Sequence, residues 1–404
     1  MKRFADAVCG MALAILLASL TSCGVGGGTV AEGGIGGTGI SMGRITAFGS
    51  VFVNGVEYDT SSAKITADGQ EVSEAGLGLG MVLEVRGAVN ADGVTGKADQ
   101  MTYTDALEGI VNGNDVNGSA SLTVMGQTVT VDTDTVFEPG ASGITVLGSI
   151  PVNAVVEVSG FPVGSGVIHA TRVEVKQTAW NGQEIELKGV VHVRTPTTFQ
   201  IGNQVIDWSQ AASLPDGAPQ DGWNVEVKST RGFDTAGVLI ASRIAKKGVV
   251  RLDAGAEGSR VELEGVVTTG LLSDIVEVNG QAVRITPETR YHNGASNRLT
   301  VGAEVEVKGR ITKGELTAEE IEFKFGESSR QKIEGAVTSK DNNAKTVTLE
   351  GQTIHFTSTT LYEDERDNNR FFGFADIDIG DQLEIVVGQN GNTLTAIKVE
   401  RKGD

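Results

Sequence analysis

One short strand-like stretch returns five times along this chain. Its copies place apolar residues on either side of a central glutamate, and they begin at Gly80, Asn153, Gly222, Gly302 and Gly380. A spacing of about 70 to 80 residues marks a structural unit that is copied in tandem. Alternation of apolar and polar residues is the pattern of a half-buried β-strand. The repeat therefore predicts an all-β chain made of five copies of one module, with the valines inside.

Other strand signals surround each copy. A strand with an internal glycine opens every unit, and a glycine in a strand indicates a bulge or a close approach of another chain segment; these glycines are Gly43, Gly109, Gly189, Gly265 and Gly335. A hairpin follows, and Asn54-Gly55 and Asn279-Gly280 favour its type I′ turn. Three strands, a long connection and two more strands are the layout of a small Greek-key barrel of the OB type.

The predicted fold is thus five tandem, five-stranded, OB-like β-barrels behind an export signal and a linker. The boundaries are a signal peptide at 1–22, a glycine-rich flexible tether at 23–41, and β repeats at 42–105, 106–179, 180–253, 254–329 and 330–404. We call these repeats segments 1 to 5. Short connections leave open whether the segments stack rigidly or move as separate beads.

The N-terminus has the layout of an export signal. Lys2 and Arg3 precede a nearly uncharged run at 7–20, which as a helix spans about 21 Å, short of the roughly 30 Å membrane core. The residues at 20–23, Leu-Thr-Ser-Cys, resemble the bacterial lipobox. The resemblance implies cleavage before Cys23 and a diacylglycerol on its thiol. The alternative is a secreted protein with a chance cysteine.

The same resemblance has consequences for the cysteines and for the cellular location of the protein. Cys9 leaves with the signal peptide, so Cys23 would be the only cysteine of the mature chain and no disulfide could form. Gly24 follows the cysteine where an aspartate would retain a lipoprotein at the inner membrane. By similarity to enterobacterial sorting rules, the expected location is the outer membrane, on its periplasmic side or at the cell surface.

Charge argues against a nucleic-acid partner. The formal net charge is −19 and aromatic residues make up 5% of the chain, whereas a single-strand-binding barrel needs a basic groove with stacking aromatics. Acidity on this scale keeps an exported protein soluble, and a cation-storing role is the alternative.

Three sets of residues are candidates for metal or glycan binding. The histidines lie on separate elements, which predicts no metal site: His169, His192, His292 and His355. An acidic loop offers oxygen ligands to a hard cation such as Ca²⁺: Glu363, Asp364, Glu365 and Asp367. Three tryptophans around segment 3 are predicted as glycan-stacking platforms: Trp180, Trp208 and Trp223. The alternatives are that the loop's phenylalanines plug a barrel while its charges face water, and that the tryptophans pack in a core. No catalytic residue and no cofactor is predicted.

The lipobox, the glycine-rich leader, the segment at 48–59 and the recurring Val-Glu-Val-Lys-Gly strands together resemble a family of bacterial lipoproteins built from tandem repeats of a domain of unknown function. The resemblance covers the mature chain and implies no activity. We therefore expect a non-catalytic lipoprotein of the cell envelope, acting as a binding or structural spacer module. Its partners would be the membrane, through the lipid, and an envelope protein or glycan. The alternative is a carbohydrate-binding or adhesion lipoprotein at the cell surface.

Overall fold

The computed structural model describes residues 38–164, 166–247, 257–326 and 329–403. The predictions for the signal peptide, for Cys23 and for most of the tether lie outside these residues. Within them the secondary structure consists of β-strands and short 3₁₀ turns, which confirms the all-β class. None of the described helices is long and apolar enough to cross a membrane.

The strands follow the predicted segments. Segment 1 contains β1 (Thr38–Ala47), β2 (Val51–Val53), β3 (Val56–Asp59), β4 (Lys64–Ala67), β5 (Gln70–Glu71), β6 (Val82–Val89) and β7 (Thr95–Tyr103). Segment 2 contains β8 (Leu107–Asp115), β9 (Ser121–Val124), β10 (Gln127–Thr130), β11 (Val136–Glu138), β12 (Val155–Gly164) and β13 (Val167–Gln177). Segment 3 contains β14 (Ile185–Val190), β15 (Thr198–Ile201), β16 (Gln204–Asp207), β17 (Asn224–Ser229), β18 (Leu239–Ile240) and β19 (Arg243–Lys246).

The last two segments complete the strand order. Segment 4 contains β20 (Arg260–Leu272), β21 (Ile275–Val278), β22 (Gln281–Arg284), β23 (Arg290–His292), β24 (Glu304–Thr312) and β25 (Glu315–Phe323). Segment 5 contains β26 (Arg330–Ala336), β27 (Ser339–Asp341), β28 (Thr346–Leu349), β29 (Gln352–His355), β30 (Leu361–Asp364), β31 (Gln382–Asn390) and β32 (Thr393–Arg401). Short 3₁₀ turns precede the repeated strand at Glu74–Gly76, Leu147–Ser149, Ser296–Arg298 and Phe374–Asp376.

Segments 1, 2 and 4 each close into a small barrel. In segment 2, β8 pairs antiparallel with β9 and with β12, β9 pairs with β10, β10 runs parallel to β13, and β13 returns to β12. The same ring forms from β1, β2, β3, β7 and β6, and from β20, β21, β22, β25 and β24. Segment 5 follows this order with its opening strand divided into β26 and β27. In segment 3 the strands form two separate ladders, β14-β17-β19 and β15-β16-β18.

The alternating valines line the interiors, as predicted. Val305 and Val307 of β24 are fully buried, and so are Leu83 and Val85 of β6. Each segment supplies most of one cluster of buried apolar side chains, and neighbouring segments add a few members, such as Ile110, Met125 and Val155 of segment 2 in the cluster of segment 3. Burying a side chain of this size is favourable by about 1.5–3 kcal/mol, so each barrel is held chiefly by its own interior.

The opposite face of the repeated strand is less solvated than the alternation predicts. Glu157, Glu226 and Glu306 are each less than one-tenth exposed. A lysine at the end of the last strand or directly after it donates to each of them, at 2.9 Å from Lys176, 2.5 Å from Lys247 and 2.8 Å from Lys324. Tyr103 of segment 1 also donates its hydroxyl to Glu157 of segment 2, at 2.8 Å. The expectation of a half-buried strand is therefore wrong for these copies, because lysines and a neighbouring segment cover the glutamate face.

The glycine of the opening strand marks a close approach, as predicted. The side chain of the first turn residue of the hairpin lies against it, Met125 on Gly109 and Asn279 on Gly265. The turn at Asn279-Gly280 has φ values of 51° and 75°, and the turn at Asn54-Gly55 has 51° and 74°. Positive φ at both central residues defines the type I′ turn that the sequence predicts.

The glycine that ends the repeated strand has a separate role. The register between β12 and β13 shifts by one residue between Ser159 and Gly160, so that a bulge forms on β13. A Cβ on Gly160 would overlap the carbonyl oxygen of His169. Gly87 and Gly309 stand beside equivalent shifts with equivalent clashes. The bulge bends the long strand where the barrel closes.

Replacing Gly160 by alanine is therefore expected to destabilise the protein by about 1–3 kcal/mol, because the clash is with backbone that must move. Urea unfolding followed by circular dichroism measures the change. Gly326→Ala is the matched control, since a Cβ at Gly326 meets no atom within 4 Å. Equal stability of the two variants would contradict the bulge as the reason for this glycine.

The segments are joined by strand pairing. β1 runs parallel to β20, with Ile40 opposite Val261, and β8 pairs with β14, with Leu107 opposite Leu187. Ile40 is buried in the apolar cluster of segment 4. The prediction that the flexible tether extends to residue 41 is thus wrong at its end, because β1 already begins at Thr38. Segments 1 and 4 share one sheet, so these two segments are not independent domains.

Candidate functional site

A buried cluster of charged side chains lies where four segments meet. Arg44 of β1 projects from the outer face of segment 1, and its side chain is 8% exposed. Its guanidinium donates to Glu264 of segment 4 from Nε at 2.7 Å and to Asp134 of segment 2 from Nη1 at 2.9 Å. It also pairs with Glu304 of segment 4. One arginine thus connects three segments.

A second arginine brings in the fourth segment. Arg330 opens β26 in segment 5, and its Nη1 lies 3.2 Å from Oδ2 of Asp132. The same nitrogen pairs with Asp134. We call the set Arg44, Asp132, Asp134, His169, Glu264, Glu304 and Arg330 the junction cluster.

The loop after β10 positions the two aspartates. Oδ1 of Asp132 accepts from the backbone nitrogens of Asp134 and Thr135, at 3.2 and 3.1 Å. The Thr135 hydroxyl donates at 2.8 Å to the carbonyl of Ala170 on β13. Equivalent threonines, Thr289 and Thr360, donate to Ala318 and Ala396 in segments 4 and 5. The repeat therefore supplies the loop geometry, and segment 2 alone places two carboxylates on it.

The cluster carries more negative than positive charge. Its four carboxylates face two guanidiniums, and a buried charge without a partner costs several kcal/mol. Burial raises the pKa of Asp134 to about 7, and the adjacent charge of Asp132 contributes. Burial alone would lower the pKa of His169, but Asp132 and Glu304 beside it raise that pKa above its usual value. Asp134 therefore titrates near neutral pH, and His169 keeps its proton to a higher pH than an ordinary histidine does.

His169 faces two of the carboxylates. Its Nε2 lies 3.3 Å from Oδ2 of Asp132 and 3.8 Å from Oε2 of Glu304. This nitrogen is buried and makes no well-aligned hydrogen bond within the described part of the chain. The sequence predicted no metal site at the histidines. Asp132 and His169 belong to segment 2, whereas Glu304 belongs to segment 4. No local spacing signals a set assembled across that distance.

A cavity of about 340 Å³ adjoins the cluster. Arg44, Asp134 and Arg330 form part of its wall, together with Glu306 and Lys324 of segment 4. Threonines of segment 5 complete the lining. Acidic groups outnumber basic ones in its wall.

The predicted cation loop does not gather its carboxylates. Each pairs with a base: Asp364 with Arg401 at 2.5 Å, Asp367 with Arg401 at 3.2 Å and with Arg366 at 3.1 Å, Glu363 with Lys398 at 3.0 Å, and Glu365 with Lys402 at 3.1 Å. Phe372 and Phe374 are buried in the core of segment 5, whereas Phe371 is 54% exposed. The arrangement matches the alternative in which phenylalanines fill the barrel end, and Ca²⁺ binding stays a prediction without support from the geometry.

The three tryptophans pack against the core of segment 3. All are half-buried beside its apolar cluster: Trp180, Trp208 and Trp223. The guanidinium of Arg194 lies over the Trp208 ring at 5.6 Å, and the ammonium of Lys246 over the Trp223 ring at 4.6 Å. Cations thus cover one face of two of the predicted stacking platforms.

The remaining histidines stay apart from the junction cluster. His192 is half-buried, His355 is exposed, and His292 lies at the surface 2.7 Å from Glu320. Only His169 among the four therefore lies beside two carboxylates in the described structure.

Comparison with known proteins identifies a repeated family domain. The family described as Domain of unknown function (DUF5666) matches residues 42–98, 108–174, 264–322 and 334–400. These ranges fall in segments 1, 2, 4 and 5 and cover more than half of the chain. The tandem-repeat prediction is confirmed for these four. No curated protein matches the chain.

Two solved structures show limited similarity. One is the wild-type single-stranded DNA binding protein from Thermus aquaticus, at 13% identity over 37% of this chain and 95% of that chain, with a TM-score of 0.12. The other is a multidomain protein with nucleic acid binding domains from Streptococcus pneumoniae TIGR4, at 12% identity over 54% of this chain and 73% of that chain, with a TM-score of 0.15. At these TM-scores neither similarity carries an argument.

Proposed function

We propose that this chain, which belongs to the family described as Domain of unknown function (DUF5666), is a non-catalytic lipoprotein of the bacterial cell envelope that serves as a structural spacer. The observation that carries the proposal is the junction cluster. Arg44 and Arg330 connect four segments through buried ion pairs. A spacer needs domains that keep a fixed arrangement, and breaking buried pairs of this kind is strongly unfavourable.

We further propose that all five segments are OB-type copies. The pairing order of opening strand, hairpin, last strand and repeated strand supports this topology in segments 1, 2 and 4. Segment 3 lies outside the family matches, yet its strands follow one another along the chain as in the other segments, and it has an apolar cluster. It also repeats the ion pair between the central glutamate and a following lysine, here Glu226 and Lys247.

The proposed anchor is the thiol of Cys23. The basic start, the short apolar run and the lipobox-like residues at 20–23 support it. Residues 24–37 would then form a short glycine-rich link between the lipid and β1, which begins at Thr38. The proposed location is the outer membrane, with an envelope protein or glycan as partner.

The Cys23→Ser variant is expected to move the protein from the membrane fraction to the soluble fraction, because the acylated thiol would be its only anchor. Fractionation of cells expressing the full chain, with acyl-chain labelling of the protein, measures the shift. Cys9→Ser is the matched control, since the only other cysteine lies inside the proposed signal peptide. A Cys23→Ser protein that still sediments with membranes and carries label would overturn the anchor.

A carbohydrate-binding or adhesion role is the second proposal. It rests on the half-buried rings of Trp208 and Trp223 in segment 3, whose exposed ring surface would stack on a sugar. In this proposal, a glycan array probed with the protein shows binding that Trp208→Ala abolishes. Silence across the array would remove the proposal.

A further inference from the structure

The geometry points to a divalent transition-metal site formed by Asp132, His169 and Glu304, which would clip segment 2 to segment 4. One ligand atom from each residue lies within 4.8 Å of the other two. Ligands about 2.0–2.2 Å from a tetrahedral ion stand roughly 3.3–3.6 Å apart. The separation from His169 Nε2 to Asp132, 3.3 Å, is of this size, and the separation to Glu304, 3.8 Å, is slightly larger. The inference goes beyond the spacer role and does not depend on the lipid anchor.

The ligand atoms are held by their own neighbours. The other oxygen of Asp132, Oδ1, accepts from the backbone of Asp134 and Thr135, which directs Oδ2 toward His169. The other oxygen of Glu304, Oε1, pairs with Arg44, and Oε2 lies on the histidine side, 3.9 Å from Nη2 of Arg330. Neighbours that orient ligands in this way are a regular feature of protein metal sites.

A second, independent observation is the histidine nitrogen itself. Nε2 of His169 is buried and lacks a well-aligned hydrogen bond among the described residues. When the imidazole is neutral and Nε2 carries no proton, this nitrogen is a buried acceptor that faces two carboxylates, which costs free energy unless it binds a proton or an ion. The His169 side chain as a whole is 20% exposed, so the site has a path to solvent.

Charge balance favours a dication. Counted as ionised, the four carboxylates of the junction cluster exceed its two guanidiniums by two charges, and a divalent ion would cancel this excess. Arg330 shares Oδ2 of Asp132 but also pairs with Asp134, so it keeps a partner when the ion takes Oδ2. One imidazole nitrogen with two carboxylate oxygens suits Zn²⁺, Co²⁺ and related ions better than Ca²⁺.

The test is metal titration of the full chain, purified in detergent and stripped with a chelator. Zn²⁺ binding is followed by calorimetry, and Co²⁺ is followed by its visible d–d absorption. We expect one ion per chain and a Co²⁺ spectrum of low coordination number. His169→Gln should weaken Zn²⁺ affinity by more than about 100-fold, since loss of a ligand exceeds the 10–100-fold effect of losing a ligand's neighbour.

His355→Gln is the matched control, and its Zn²⁺ affinity should equal that of the native chain. His355 is exposed on β29 and belongs to no comparable group of ligands among the described residues. Circular dichroism checks that each variant folds. If His169→Gln does not fold, Glu304→Gln is used in its place with the same expected loss. Absence of uptake by the native chain at micromolar Zn²⁺ overturns the proposal, and so does uptake that the ligand variants leave unchanged.

Discussion

Replacing Arg44 by methionine is expected to lower the free energy of unfolding by about 3–5 kcal/mol, because three buried carboxylates each lose an ion pair at once. Asp134 and Glu304 keep Arg330 beside them. Glu264 and Asp134 accept from this guanidinium at 2.7 and 2.9 Å, and Glu304 pairs with it as well. Methionine keeps most of the side-chain volume, so the change measures charge rather than a cavity. Urea unfolding followed by circular dichroism gives the free energy.

Arg86→Met is the matched control for Arg44→Met. Arg86 lies in the same segment and pairs with Glu84 at 2.6 Å, but its side chain is 37% exposed. An ion pair at the surface contributes less than about 1 kcal/mol, so this variant should unfold almost as the native chain does. Equal effects of the two substitutions would mean that the junction cluster does not hold the segments together.

Replacing Phe199 by alanine is expected to destabilise segment 3 by about 3–5 kcal/mol. Phe199 is fully buried in the apolar cluster of that segment. The readout is specific, because the three tryptophans of the chain, Trp180, Trp208 and Trp223, all belong to segment 3. Tryptophan fluorescence therefore follows this segment alone, whereas circular dichroism follows every strand.

We expect the fluorescence transition of Phe199→Ala to shift to lower urea than the main circular dichroism transition. Phe371→Ala is the control, since Phe371 is 54% exposed in segment 5 and its loss should change stability by less than about 0.5 kcal/mol. A fluorescence transition unmoved by Phe199→Ala would show that segment 3 does not depend on a core of its own.

The barrels themselves follow from local sequence. The alternation around Glu306 correctly predicted that Val305 and Val307 lie inside the barrel, and Asn279-Gly280 correctly predicted the type I′ turn of the hairpin in segment 4. Both signals act over only a few residues. The glycine of the opening strand likewise pointed to a close approach, which Met125 makes on Gly109.

The contacts between segments have no such local signal. Arg44 lies on the strand face that alternation assigns to solvent, and its partner Glu264 is 220 positions away. The parallel pairing of β1 with β20 depends equally on how two distant copies meet. The junction cluster draws its members from four segments, so no spacing within one repeat could predict it.

A double-mutant cycle between Arg44→Met and Glu264→Gln tests the central claim, that a buried ion-pair cluster couples separate repeats. The free energies of unfolding of the native chain, both single variants and the double variant give the interaction energy. For residues in direct contact across segments 1 and 4, we predict an interaction of about 1–3 kcal/mol. Effects that add to within about 0.5 kcal/mol are expected for independent domains, and would contradict the account.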